Sequence, residues 1–235
     1  MDPVYVVLGI LACFLGVLLF RYGHAQGTLA DVIAETPTTP ICGIRDFGRY
    51  EVKGVVECDR PLLAPVTSDP CVWYRITITE TYVDQSHGRR NRSSHRTQVV
   101  RNDQSDVPFR VKDDTGVFTV FPSGATVYAT EVENRTERPG LLGSLLAPVG
   151  SVTSRHTFVE AILIGSPIYV LGEVQPSGEG NAFRKGDDDS PFVVSVKSEE
   201  ELLSQASVWA KVAMVAGGLL AVGGVASTLY GWTGG

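Results

Sequence analysis

Residues 72–82 read VWYRITITETY. Aromatic and β-branched residues alternate with polar ones along this run, as in a strand with one buried face. The same signal recurs on both sides. Residues 52–56 are apolar around Gly54. Residues 109–112 and 117–121 flank Asp113-Asp114-Thr115-Gly116, a hairpin turn. Pro122-Ser123-Gly124 turns the chain into 125–129, and Gly165-Ser166-Pro167 separates 158–164 from 168–174. Residues 192–196 form a last short strand. With no helical pattern between them, these strands predict an antiparallel barrel or sandwich rather than a parallel α/β sheet.

Outside this β-rich region the sequence changes character. All but Asp2 of the Asp, Glu, Lys and Arg residues fall between Arg21 and Lys211. Residues 4–20 (VYVVLGILACFLGVLLF) carry no charge. At about 1.5 Å per residue they reach roughly 25 Å as a helix, enough for the hydrocarbon core. No Lys or Arg precedes the run and Arg21 follows it, so it reads as a retained anchor rather than a cleaved signal peptide. Residues 212–232 form a second uncharged run, with Trp209 and Lys211 at its start and Tyr230 and Trp232 at its end. Ala213, Gly217 and Ala221 recur every four residues, as do Gly223 and Ser227. Such faces allow close helix approach, either to Gly9 and Gly16 of the same chain or to another copy in a homo-oligomer.

Two further segments read as helical. Residues 28–34 are a short candidate, and Ser198 before Glu199-Glu200-Glu201 is a helix start that favours the positive end of the dipole. No breaker separates that start from 212–232. The expected architecture is therefore membrane-anchored α+β, mostly β, with an antiparallel β-barrel or sandwich domain between two transmembrane helices. Residues 1–22 form the anchor, 23–197 the membrane-adjacent β domain, and 198–235 an amphipathic helix continuing into the second span. Both termini then share one side of the bilayer and the domain occupies the other. Arg21 and Lys211 flank the spans on the domain side, which favours the cytoplasm for it.

Composition narrows the chemistry. The chain has 235 residues, 20% charged, with a formal net charge of -6. That balance argues against a duplex nucleic-acid coat. Cys42, Cys58 and Cys71 fit no zinc spacing, and Cys13 lies inside the first span. His24, His87, His95 and His156 make no metal motif. Phosphate-cradling glycine loops and the GxSxG elbow are absent from the sequence. Asp113 and Asp114 read as a solvated turn, and Asp187 to Asp189 as an exposed acidic loop. Asn91-Arg92-Ser93 and Asn134-Arg135-Thr136 match glycosylation triplets, which arise often by chance. No catalytic residue, cofactor or metal site is expected.

Residues 84–96, 134–150 and 175–190 read as loops. The first holds the strongest local charge. Arg89, Arg90, Arg92, Arg96 and Arg101 fall within thirteen residues of an otherwise acidic chain. Near a bilayer such arginines attract anionic head groups at about 1 kcal/mol each. The loop lacks the interleaved aromatics of a single-strand nucleic-acid binder. The loops 84–96 and 175–190 are the expected contact surface for a protein, lipid or small ligand, with these five arginines as the candidate partner or head-group contacts.

The order of several short motifs resembles a known family. Gly54-Val55-Val56 precedes Leu62 to Pro65 and Cys71-Val72-Trp73-Tyr74. Val107-Pro108-Phe109, Asp113-Asp114-Thr115-Gly116 and Pro122-Ser123-Gly124-Ala125 follow. Then come Glu160, Gly165, Tyr169-Val170-Leu171-Gly172-Glu173-Val174 and Phe192 to Ser195, before Leu202, Leu203 and Trp209. Across roughly residues 50–232 the chain resembles the MULAN/GIDE membrane E3 ubiquitin ligases, and looks most like prokaryotic members without a RING. The resemblance implies a β-rich domain beside a membrane, and roles in organising organelles and presenting partners. Family ligases carry a zinc-binding RING after the second helix, where here Thr233-Gly234-Gly235 stands. The expectation is a binding or scaffold protein that does not itself transfer ubiquitin. A non-catalytic subunit working with a separate RING protein, or a membrane stress sensor, are the alternatives.

Overall fold

A computed structural model describes residues 3–85, 93–140, 151–178, 180–186 and 190–233. The chain separates into two compact units. One combines Met1–Pro37 with Ser198–Gly235; the other is Thr38–Lys197.

The second unit is built around a closed barrel of five strands. These are β1 (Gly48–Glu57), β5 (Phe109–Asp113), β6 (Gly116–Val120), β10 (Pro167–Ser177) and β11 (Gly180–Arg184). The ring runs β1-β5-β6-β11-β10 and closes through β1–β10. Every pairing in it is antiparallel except β6 with β11. In chain order these strands are first to fifth, so the ring reads 1-2-3-5-4 and returns to 1. That is the Greek-key connectivity of an OB-type barrel.

Closure imposes a local demand at Gly54. There β1 is still paired with Ile168 of β10, and at the next residue, Val55, it lies between Pro167 of β10 and Lys112 of β5. A Cβ on Gly54 would lie 2.5 Å from the Lys112 carbonyl oxygen and 2.8 Å from a Val111 methyl. Only a residue without a side chain fits this crossing of strands.

Two smaller strands extend the barrel. β12 (Val193–Ser195) lies along the first half of β10, and β7 (Thr126–Tyr128) runs parallel to β12. The remaining strands form a second sheet in the order β2 (Leu62–Leu63), β3 (Pro70–Gln85), β9 (Val152–Leu163), β8 (Thr130–Glu137). β4 (Ser93–Gln104) pairs with β3 on the side away from β9. Trp73 from β3 and Ile162 from β9 are fully buried in one cluster with Val52, Val111, Val120 and Phe183 of the barrel. Phe183 meets Phe118 edge to face, with ring centroids 5.2 Å apart.

Three stretches differ from the loops expected above. Residues Asp84 and Gln85 end β3, and Ser93 to Arg96 begin β4. Asn134 to Glu137 finish β8. Within 175–190, β10 continues to Ser177 and β11 occupies Gly180–Arg184. β4 and β8 are outer strands, so both of their faces can be polar and the apolar alternation disappears. The predicted barrel or sandwich is thus a barrel joined to a sheet, with two parallel pairings among mainly antiparallel ones.

The first unit is a pair of long helices, α1 (Pro3–Glu35) and α2 (Glu199–Thr233). Both are long and apolar enough to cross a membrane. α1 continues past Phe20 through the short candidate at 28–34, and reaches about 50 Å at 1.5 Å per residue. α2 begins with a reciprocal capping box. The Glu201 N–H donates to Ser198 Oγ at 3.3 Å, and the Ser198 N–H to Glu201 Oε2 at 3.2 Å.

The two helices pack antiparallel on glycine. A Cβ on Gly9 would lie 2.6 Å from the Gly224 carbonyl oxygen, and one on Gly16 would lie 2.7 Å from that of Gly217. Gly23 meets Ala210 and Met214 in the same way, so contacts recur every seven residues. The small-residue face therefore meets α1 of the same chain, through Gly217 and Gly224, whereas Gly218 and Gly223 face open space. Val7, Leu11, Phe14 and Leu18 on α1, and Leu219, Val222, Leu229 and Trp232 on α2, are exposed.

Candidate functional site

Arg89, Arg90 and Arg92 lie outside the described residues, as do Asn91 and Asp187 to Asp189. Arg96 and Arg101 are exposed on β4 rather than in a loop. Arg96 stands opposite Tyr82 and Arg101 opposite Ile78, so both project from one face of the sheet. Arg101 pairs with Asp103 at 3.2 Å, with both side chains about half exposed. Such a pair is worth little in water.

The same face carries a stronger cluster. Glu80, nearly buried, accepts from Tyr82 Oη at 2.6 Å and from Arg155 at 2.6–2.8 Å. The Tyr82 hydroxyl and then Arg155 hold the Glu80 carboxyl below the usual glutamate range. The same hydrogen bond from Tyr82 raises that phenol's own pKa, and Glu80 raises that of Arg155. On the opposite face, Arg75 grips Glu160 through two nitrogens at 2.5 and 2.9 Å and lies 5.5 Å from the Trp73 ring centre. These are cross-strand pairs between β3 and β9. They tie the second sheet together, and their charges are matched rather than poised for proton transfer. Sequence reading passed over Glu80 and Arg155; a charge inside a β-branched alternation is the signal for such a pair.

Asp113 is also fully engaged. Its Oδ1 accepts from the Thr115 N–H and hydroxyl, both at 2.6 Å, and from the Gly116 N–H at 2.9 Å. Its Oδ2 accepts from the Ile41 N–H at 2.8 Å. Burial would raise its pKa, but hydrogen bonds from Thr115, Ile41 and Gly116 outweigh that and hold it low. The Cys42 N–H adds a bond to Thr115 Oγ1 at 3.1 Å. The Asp-Asp-Thr-Gly turn is thus a latch for the segment entering the barrel, not an acid/base pair. Glu51 secures the same segment. It is buried in β1 and accepts from Tyr169 Oη at 2.8 Å and Thr38 Oγ1 at 2.5 Å, with Lys53 Nζ 3.6 Å away.

One open cleft of about 450 Å³ lies where β1 ends beside β5 and β6. Glu57, Cys58, Asp59, Val107, Phe109 and Arg110 help to line it. Arg110 pairs with Asp59 at 2.6 Å, and Lys112 with Glu57 at 3.4 Å. Its place on the second and third strands of the ring is the side on which OB-type barrels take ligands.

The possible metal donors do not converge. Cys13 sits in α1 and its thiol donates to the Ala221 carbonyl. Cys42 is exposed, Cys58 half-buried and Cys71 fully buried. Burial, then the Asp69 charge, push the Cys71 thiol up to about 11, well away from thiolate chemistry. His95 lies on β4, and His156 on β9 contacts Asn134 Oδ1 at 2.9 Å. Among the described residues no three His, Cys, Asp or Glu side chains are grouped to hold an ion. The residues described here do not fit the zinc of a RING.

These observations define a class: a β-barrel domain joined to a second sheet, with a long apolar helix at each end of its chain. Residues 78–229 match the family model for GIDE, described as an E3 ubiquitin ligase, and the chain belongs to that family. The match begins inside β3, so the Gly54 and Trp73 motifs precede it. No curated protein and no solved structure matches the chain.

Proposed function

We propose that this chain is a membrane-anchored binding and scaffold protein of the GIDE family, which presents its β domain to a partner and does not itself transfer ubiquitin. The observation that carries this reading is the helix pair. Gly9, Gly16 and Gly23 of α1 pack against α2, which contributes Gly217 and Gly224, and the other faces expose large apolar side chains, as a lipid-facing hairpin requires. Both helices would cross the bilayer, with the termini on one side and Thr38–Lys197 on the other. Arg21 and Lys211 favour the cytoplasm for the domain.

Partner contact is assigned to Arg89, Arg90, Arg92, Arg96 and Arg101, whose charge suits an acidic protein surface or anionic head groups. Crosslinking in native membranes tests this with the five arginines changed to Gln. The reading expects the partner set to shrink; an unchanged set removes the basic stretch as the contact.

The family description favours a second reading, a non-catalytic subunit of a ubiquitin-like ligase. It requires a separate RING protein or conjugating enzyme to co-purify with the chain from native membranes. Recovery of other proteins or lipids without conjugation machinery would leave the scaffold reading alone.

A further inference from the structure

β4 is hydrogen-bonded on one side only. Its Ser93–Gln104 backbone pairs with β3, and among the described residues nothing pairs with its other edge. Residues 95–104 are all exposed, including Val99 at 55% and Val100 at 44%. An unpaired edge of this length is a template for another strand.

The side-chain pattern along β4 says which strand fits. Arg101 stands opposite Ile78 and Val99 opposite Thr79, so Val100 is the extra residue of a bulge. The bulge resets the alternation. Arg96, Gln98, Arg101 and Asp103 share one face; Thr97, Val99, Asn102 and Gln104 share the other. Now let a second copy of β4 run antiparallel about a two-fold axis between Val99 and Val100. Gln98 then faces the other copy's Arg101, Thr97 its Asn102, and Arg96 its Asp103. Every pair joins residues of one face, which an unbulged strand would not allow in this register.

Charge selects the same register. The axis brings Arg96 opposite Asp103 twice and places four valines at its centre. Sliding one way sets Arg96 against Arg101. Sliding the other leaves both arginines without a carboxylate opposite. The competing Arg101–Asp103 pair within one strand is exposed and weak.

We propose that two copies of this chain associate edge to edge through β4, in an isologous interface that merges their second sheets into one. This surface is separate from the glycine faces that pair α1 with α2.

The test uses the full chain in lipid nanodiscs or detergent, with mass followed by sedimentation across a dilution series. Arg96→Asp and Asp103→Arg each turn two attractive pairs into repulsive ones, and each should weaken the dimer roughly tenfold or more. The double variant restores opposite charges across the axis and should recover dimerisation. Mixing Gln98→Cys chains with Arg101→Cys chains should give a disulfide dimer that neither gives alone, with the parent chain controlling for the native cysteines. A monomeric parent chain overturns the proposal. So does a dimer indifferent to both reversals, which would place the contact on the helices instead.

Discussion

Among the described residues, Asp113 and Glu80 are carboxylates that hydrogen bonds hold low. Their effect is on stability. In the unfolded chain each takes up its proton at a higher pH than in the fold, near about 4 for free carboxylates. Their contribution is therefore complete above that range and is lost as pH falls through the folded values. Asp113→Asn should lower the denaturant midpoint at pH 7 and flatten its fall below pH 4. Equal midpoints for variant and parent at pH 7 would show that the latch on Ile41 carries no stability. The cysteines offer a second check at this scale. Iodoacetamide at neutral pH should modify exposed Cys42 and spare Cys71, whose thiol is buried and raised to about 11, until the fold is opened.

Elements show where the sequence was readable. The alternation in 72–82 and the Asp-Asp-Thr-Gly turn announced β3 and the β5–β6 hairpin, because each has one buried face and a turn with its own chemistry. β11 was hidden. It is five residues long, begins at Gly180, and sits in a Gly-rich acidic stretch, so no period could be read from it. Yet it closes the ring, and its Phe183 is wholly buried. Phe183→Ala should cost about 3–5 kcal/mol by chemical denaturation. A change near zero would mean that 175–190 is the loop its composition suggests. The exposed strands β4 and β8 were hidden for another reason, since an edge needs no apolar face. Arg96 and Arg101 are exposed, and their place in a strand depends on pairing with β3, which local sequence does not encode.

The helices allow a sharper comparison between neighbours. Gly217 and Gly224 touch the backbone of α1, whereas Gly218 and Gly223 touch nothing. Gly217→Val should lower the thermal midpoint of the detergent-purified chain by several degrees, and Gly218→Val should leave it nearly unchanged. Equal effects would break the packing described for α1 and α2. The sequence reading named Gly217 and Ala221, which meet Gly16, but also Gly223, one position from the Gly224 contact. Which glycine faces inward depends on the rotation of α2 about its axis, and a four-residue repeat leaves two such faces open.

At the scale of the whole molecule, one chain joins a closed barrel and its attached sheet to a pair of apolar helices. Family membership brings the name of a ubiquitin ligase, while the described residues bring matched ion pairs, a latched turn and an inert buried thiol. These features build and hold a surface. The most direct measurement is a ubiquitin-discharge assay on the full chain in lipid nanodiscs, with activating enzyme, charged conjugating enzyme and zinc supplied. A binding and scaffold role predicts discharge no faster than with empty nanodiscs. Discharge that rises with the amount of chain and disappears when zinc is chelated would contradict it.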